Sequence, residues 1–430
     1  MTCDKPNPVR DLLASPLCDA LIEYCAERLG VVKRRRKLDV VCFVWTLIMG
    51  FGAGSRRTIA SLRRTYQVMS GHRIARSAFF DRFTPQLTEL LSRLLNEVLR
   101  QQREKVPKIF GERMRGFERI LAMDATVLRL HHLLSDAFPG CRTNHSPAAA
   151  KLHMVMNVVD GSPNRIRITD ERTGDATPWQ RVGSWVKGSL LIFDLGYYNF
   201  HLFHRIAQQK GYFLSRLKTN ANPRIIKDLG GGAGRRIDVA GKRLQEVLPR
   251  LRRKTFEAIV EVGFFKRSYK GQKRYMRRRF RLIAVRNDET NTYHVYLTNT
   301  DSEQITAGDV TDVYALRWQV ELLFKQLRQM GRLGELPSSK EHIVKTLIYG
   351  AILALALSNR LLEYLRKKAR GRAMPTTRFA EVFRTLSYQL LLELTAHRRQ
   401  EKTDLFAMLL YEAIDPNLIR GRSSDILWDL

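Results

Sequence analysis

Cysteine is scarce in this 430-residue chain. The five present, Cys3, Cys18, Cys25, Cys42 and Cys141, are odd in number, irregularly spaced and mostly set in apolar runs. That excludes a disulfide framework and fits reduced, structural thiols in a cytoplasmic protein. No Cys or His pair has the Cys-x₂-Cys or His-x₃-His spacing of a closed zinc site. His131, His132, His145 and His153 therefore read as polar loop or strand residues. The opening Met-Thr-Cys-Asp-Lys-Pro is not a signal peptide. The longest apolar runs, Val40 to Gly54 and Thr346 to Leu357, fall short of the ~20 residues a membrane span needs. Lys37, Arg56, Lys345 and Arg360 flank them closely, so both are expected to be buried helices, with no membrane partner. Internal repeats and low-complexity tracts are missing. The glycine-rich stretch Gly230 to Gly234 lacks the Gly-Lys-Ser/Thr ending of a phosphate loop.

The largest deficit is acid. Against 74 Lys and Arg stand 42 Asp and Glu, a net charge of +32. A charge of that size repels itself in a compact state unless a partner neutralises it, and nucleic acid is the usual partner. The excess is local as well as global. Between Val262 and Asn287 there are ten Lys or Arg, Arg277, Arg278 and Arg279 among them, and no acid. Tyr269, Tyr275, Tyr293 and Tyr296 lie among or just beyond them. Cations that neutralise phosphates, interleaved with rings that stack on bases, suit a DNA-gripping surface.

Hydrophobic patterning divides the chain. Residues 1–115 read as short Arg-rich helices, expected to bind DNA. They include Lys33 to Lys37, Ser55-Arg-Arg and a helix restarting at Thr84-Pro85. Strands are expected at Ile120–Val127, Lys151–Val159, Arg165–Thr169, Ser189–Asp194 and Tyr212–Arg216, with helices at 176–187 and 199–209. Strands joined by helices predict a mixed α/β sheet over residues 116–220. Residues 221–299 form a β-rich basic insertion with strands at 256–265, 275–286 and 292–298. Residues 300–365 return to the core, with a helix from Glu341 to Leu365. Residues 366–430 are helical, including Thr376 to Leu394.

Three acids stand out. Asp124 interrupts an apolar strand, where an unpaired carboxylate is costly. Asp194 ends a buried strand before a glycine turn, where strand C-termini commonly carry functional groups. Glu321 lies on a stretch read as one helix from Tyr314 to Arg328. At about 100° per residue, Arg317, Glu321, Lys325 and Arg328 fall within roughly 60° of Tyr314. Leu316, Val320, Leu323 and Leu327 take the opposite side. Asp136, Asp160, Asp170 and Asp175 are rival acids in loop or turn composition. If the strands carrying Asp124 and Asp194 are neighbours, these two acids and Glu321 can ligate two Mg²⁺ or Mn²⁺ ions, placed to clamp an in-line displacement at phosphorus.

At these residues the chain resembles the DDE transposases of bacterial insertion sequences, in the branch marked by Tyr-x₂-Arg-x₃-Glu-x₆-Lys. Tyr314, Arg317 and Glu321 match in identity and spacing. The lysine position holds Arg328, with Lys325 one turn earlier as the alternative. Asp124-Ala-Thr126 matches the first acidic motif and Asp194-Leu-Gly196-Tyr197 the second. The resemblance implies an RNase H-like mixed sheet with flanking helices, interrupted by the β-rich insertion. It implies cut-and-paste transposition through a hairpin, acting on transposon ends and target DNA as a homodimer in the synaptic complex, in the nucleoid of a bacterial cytoplasm. Tyr314 and Arg317 would hold a phosphate, and Tyr293, Tyr296 or Trp318 would stack on a flipped base. Two other readings stay open: a decayed, non-catalytic DNA-binding protein, and a structure-specific nuclease on the same core.

Overall fold

A computed structural model describes residues 8–32, 38–50, 58–103, 116–142, 146–230, 238–265, 275–331, 338–369, 372–395 and 405–414, together with Leu333 and Leu336. The basic run Lys33 to Lys37, Ser55-Arg-Arg, His145, Gly231 to Gly234 and residues 266–274 with Tyr269 lie outside the described residues.

The chain begins with α1 (Pro8–Ala14), α2 (Asp19–Arg28), α3 (Val40–Met49), α4 (Ile59–Ser70), α5 (Arg76–Phe80) and α6 (Pro85–Arg103). The α3 helix starts at Asp39, whose carboxylate accepts the Cys42 N–H at 2.9 Å. That N-cap satisfies one of the free amides of the first turn. Apolar on nearly every side, α3 is buried from Cys42 to Met49, as a helix of that composition must be.

The strands follow in chain order: β1 (Arg119–Arg129), β2 (Pro139–Arg142), β3 (Ser146–Asn157), β4 (Pro163–Asp170) and β5 (Ser189–Phe193), then helix α7 (Phe200–Gln208) and β6 (Tyr212–Arg216). Next come β7 (Arg224–Asp228), the short α8 (Leu244–Val247), β8 (Thr255–Phe265), β9 (Tyr275–Arg286) and β10 (Tyr293–Thr298). Among the described residues these strands make one 10-stranded sheet, in the order β2-β3-β1-β5-β6-β10-β9-β8-β7, with β4 also paired to β3. Strand β1 runs antiparallel to β3 and parallel to β5, and β5 runs parallel to β6. This is the mixed α/β architecture expected.

The basic insertion joins that sheet edge to edge. Tyr296, Leu297 and Thr298 of β10 pair with Arg216, Ser215 and Leu214 of β6. An edge strand offers a row of unpaired amides and carbonyls, and β10 satisfies them. Both sheet faces are buried. Ile120, Ala122 and Leu128 of β1 pack into one apolar cluster with the helices, while Leu121 and Met123 enter a second with α7.

After β10 come α9 (Val310–Ala315), α10 (Trp318–Gly331), α11 (Glu341–Lys368), α12 (Thr376–Thr385), α13 (Ser387–Thr395) and α14 (Leu405–Ala413). By length and composition α11 could cross a membrane, yet 78% of its apolar window is buried inside the protein. It packs on α6, α10 and α3, so the run Thr346–Leu357 is core.

Three sequence expectations are corrected. Residues 176–187 form separate 3₁₀ turns at Thr177–Trp179 and Ser184–Val186, with Gly183 extended between them at φ −103°, ψ −167°. The stretch Thr376–Leu394 is two helices broken at Leu386. Tyr314 to Arg328 is also broken: Leu316, Arg317, Gln319 and Val320 donate to the third residue before them. These tighter bonds separate α9 from α10.

Candidate active site

Strand β1 brings Asp124 to the centre of the sheet. The parallel register with β5 ends at Met123 opposite Phe193. Asp124, still within β1, and Asp194, the first residue past β5, come next in that register, so the two aspartates lie on neighbouring strands side by side. Asp194 caps the 3₁₀ turn Leu195–Tyr197, its carboxylate accepting the Leu195 N–H at 2.7 Å. Asp124 accepts the Ala125 N–H at 2.8 Å.

Glu321 arrives on the first turn of α10. Arg317 Nη1 donates to Glu321 Oε1 at 2.9 Å and lies 3.9 Å from Asp124 Oδ2. One guanidinium, its side chain only 11% exposed, thus links the first acid to the third. Burial raises the Asp124 pKa to about 6. The Ala125 amide and Arg317 pull it down, while Glu321 and Asp194 push it up. All three acids therefore share one electrostatic neighbourhood. The tighter gathering expected from sequence is not seen. Among the described residues, no group of three or more His, Cys, Asp or Glu side chains is close enough to hold a metal ion. The reason is local: the Arg317 guanidinium stands between Glu321 and Asp124 and pairs with the glutamate.

The other candidates separate by exposure. Burial and then Asp194 raise the Tyr314 hydroxyl to about 12, with Arg317 and Arg216 opposing, so the phenol stays protonated and can donate. Lys325 and Arg328 are both exposed on α10, and Arg328 Nη2 reaches Thr126 Oγ1 on β1 at 3.1 Å. Trp318 is 61% exposed with the Arg317 guanidinium 5.3 Å from its ring centre. Tyr296 is 3% exposed and its ring packs on Tyr314 at 5.3 Å, and the Tyr293 hydroxyl donates to the Arg253 carbonyl. The expectation of base stacking is corrected for Tyr296, because its ring has no free face. Arg277, Arg278 and Arg279 are exposed on β9. Arg278 donates to His204 at 3.0 Å, and Arg277 lies 3.8 Å from Glu261. Arg281, another of the ten basic residues in that segment, is buried and bonded to Glu257.

The sequence marks Thr126 only as part of the first acidic motif, without its contact to Arg328, and gives no role to Arg216. Arg216 ends β6, the strand parallel to and beside β5. The strand-end rule that selects Asp194 selects it equally.

Residues 115–357 match the family model described as Transposase DDE domain. The chain is 21% identical over 390 residues to the transposase for insertion sequence element IS231B of Bacillus thuringiensis subsp. berliner, spanning 83% of this chain and 80% of that one. It is 22% identical over 327 residues to the transposase for insertion sequence element IS1151 of Clostridium perfringens, spanning 70% and 69%. A solved piggyBac transposase synaptic complex with hairpin DNA aligns over 97% of this chain and 86% of its own, with TM-score 0.46 and 10% identity.

Proposed function

The chain belongs to the transposase DDE-domain family, and from that premise we propose that it cleaves and transfers DNA strands at one site built from Asp124, Asp194 and Glu321. The observation that carries this reading is the register: Asp124, within β1, and Asp194, just past the end of β5, come next in line on adjacent parallel strands, and the guanidinium nearest Asp124 also holds Glu321.

The three acids fit a hard divalent cation. Their donors are all carboxylate oxygens, and the pKa of Asp124, raised by burial and then by Glu321 and Asp194, belongs to a carboxylate whose charged form a cation would stabilise. Asp124, Asp194 and Glu321 would hold two Mg²⁺ or Mn²⁺ ions, which when bound supply charge stabilisation to the attacking and leaving oxygens of an in-line displacement.

The remaining residues bind and orient. Arg317 exchanges Glu321 for a DNA phosphate, which frees that carboxylate to join the aspartates. Tyr314 donates its proton to the same phosphate, and Arg328 fills the signature cation position beside β1, with Lys325 further out. Trp318 offers the exposed ring for an unstacked base. Arg277, Arg278 and Arg279 follow the duplex backbone. Water attacks the phosphodiester at the element end and releases a 3′-hydroxyl. That hydroxyl attacks the opposite strand, expels the flanking DNA and leaves a hairpin. A second water reopens it, and the freed 3′-hydroxyl joins target DNA. Two ends held together require two copies of the chain.

The test uses labelled duplex carrying the repeats that flank the coding sequence, with Mg²⁺ or Mn²⁺. Nicks bearing 3′-hydroxyls, hairpins and joined products are expected. Glu321→Gln should bind the duplex and leave it intact. Equal cleavage by that variant removes Glu321 from the mechanism, and cleavage without joining leaves a nuclease.

A further inference from the structure

The turn that carries Asp194 is held from behind by an ion pair outside the signature residues. Lys151 of β3 donates to Asp175 Oδ1 at 3.0 Å and to the Thr173 carbonyl at 2.7 Å. The Lys151 side chain is 13% exposed and that of Asp175 32%, so water screens the pair only in part. The other carboxylate oxygen presses on the Asp194 turn. A Cβ added at Gly196 would lie 2.5 Å from Asp175 Oδ2 and 3.5 Å from its Cγ. Gly196 is thus the residue that lets the carboxylate approach the backbone two positions after Asp194. A free side chain would swing away from such a contact; this one is fixed by Lys151.

Topology gives the contact its meaning. In the sheet, β1 lies between β3 and β5. Lys151 sits on β3 opposite Val127 of β1, and Gly196 follows β5. The bridge Lys151–Asp175–Gly196 therefore spans the Asp124 strand and ties together the two strands that flank it. The Asp194 carboxylate itself has one described hydrogen bond, from the Leu195 amide.

We propose that Asp175, clamped by Lys151, is a positioning residue that sets Asp194 against Asp124. This rests on the reading of those two aspartates as catalytic. Groups that orient a ligating carboxylate commonly change ion affinity or activity by about 10–100-fold.

The experiment uses the full chain, Mn²⁺ alone and the flanking-repeat duplex. Mn²⁺ binding to the DNA-free protein is titrated by electron paramagnetic resonance. Nicking is followed against Mn²⁺ concentration, and thermal melts report folding. Asp175→Asn, Lys151→Met and Gly196→Ala should each raise the Mn²⁺ required by about tenfold, and Lys151→Arg should restore it. Adding Asp175→Ala to Gly196→Ala removes the clash, so the pair should melt higher than Gly196→Ala alone, a comparison that holds even where Asp175→Asn folds poorly. An unchanged Mn²⁺ requirement, or a Gly196→Ala melting defect undiminished in the pair, overturns the proposal. Asp194→Asn is the control. If it nicks normally, the catalytic reading fails; if it is inactive while the clamp variants match the parent, only the positioning role falls.

Discussion

Arg317 Nη1 stands 2.9 Å from Glu321 and 3.9 Å from Asp124, one cation between carboxylates drawn from a helix and a strand. Such a guanidinium has two uses, holding the acids before DNA arrives and holding phosphate afterwards. Replacing it by alanine should weaken duplex binding and lower the slope of log affinity against log salt by about 0.9, the share of one phosphate contact. Fluorescence anisotropy between low and high salt measures both. An unchanged slope would mean that Arg317 serves only the protein.

Glu321→Gln keeps the shape and the Arg317 contact but loses the charge. Charge stabilisation of several kcal/mol at a reacting phosphate corresponds to about 10³-fold in rate. Single-turnover nicking should fall by that order while duplex affinity stays within about twofold, since Gln still occupies the same space.

Asp124 gives a pH signature. Its pKa is raised to about 6, chiefly by burial, above the ordinary value near 4. Between those two values the unfolded chain loses the proton and the folded chain keeps it. Stability contributed by the neutral acid is therefore full below about pH 4, declines as pH rises, and levels off above about 6. Asp124→Asn removes that decline. In chelator it should be more stable than the parent at pH 7.5, by on the order of 2 kcal/mol after allowing for partial exposure, and the gain should vanish at pH 4. Thermal melts across that range decide it; a pH-independent difference would contradict the raised pKa.

What the sequence reveals follows from how local each signal is. Asp124 is legible because a lone acid in an apolar strand stands against a strong pattern. Asp194 is legible because a buried strand ends there before a glycine. The break at Leu316–Arg317 has no glycine or proline to announce it; only the switch to hydrogen bonds spanning three residues instead of four reveals it. Residues 176–187 carry one breaker, Gly183, inside a pattern that otherwise reads as helix. The seam between β6 and β10 joins residues about 80 apart in the chain, and pairing at that range leaves no periodicity to read. Asp175 looks like a turn residue because it is one; its contact with Gly196 exists only in three dimensions.

The basic insertion divides into structural and exposed cations. Arg281 is 4% exposed and donates to Glu257 and to the carbonyls of Asp301 and Ile305. Arg281→Ala leaves the half-buried Glu257 carboxylate and two carbonyls without their donor and should cost on the order of 3 kcal/mol, read as a lower urea midpoint. Arg277 is 67% exposed, and Arg277→Ala should move that midpoint by no more than about 0.5 kcal/mol while weakening duplex binding at low salt. If both variants behave alike, the division is wrong.

Trp318 and Tyr296 make the sharper contrast, because both are aromatic and both neighbour the signature residues. Tyr296 fills space beneath Tyr314, and truncating a buried ring typically costs about 3–5 kcal/mol. Tyr296→Ala should therefore lose binding and nicking together, in step with lost folding. Trp318 is mostly in solvent, so Trp318→Ala should fold as well as the parent. A base stacked on an aromatic ring is worth about 1–3 kcal/mol, and the loss should appear where a base must leave the helix. Nicking of the first strand should be nearly unaffected, while hairpin formation should fall by roughly tenfold or more. A 2-aminopurine at the element end should lose its protein-induced fluorescence change in the same variant. Hairpins formed at the parental rate by Trp318→Ala would leave the exposed ring without a nucleobase partner.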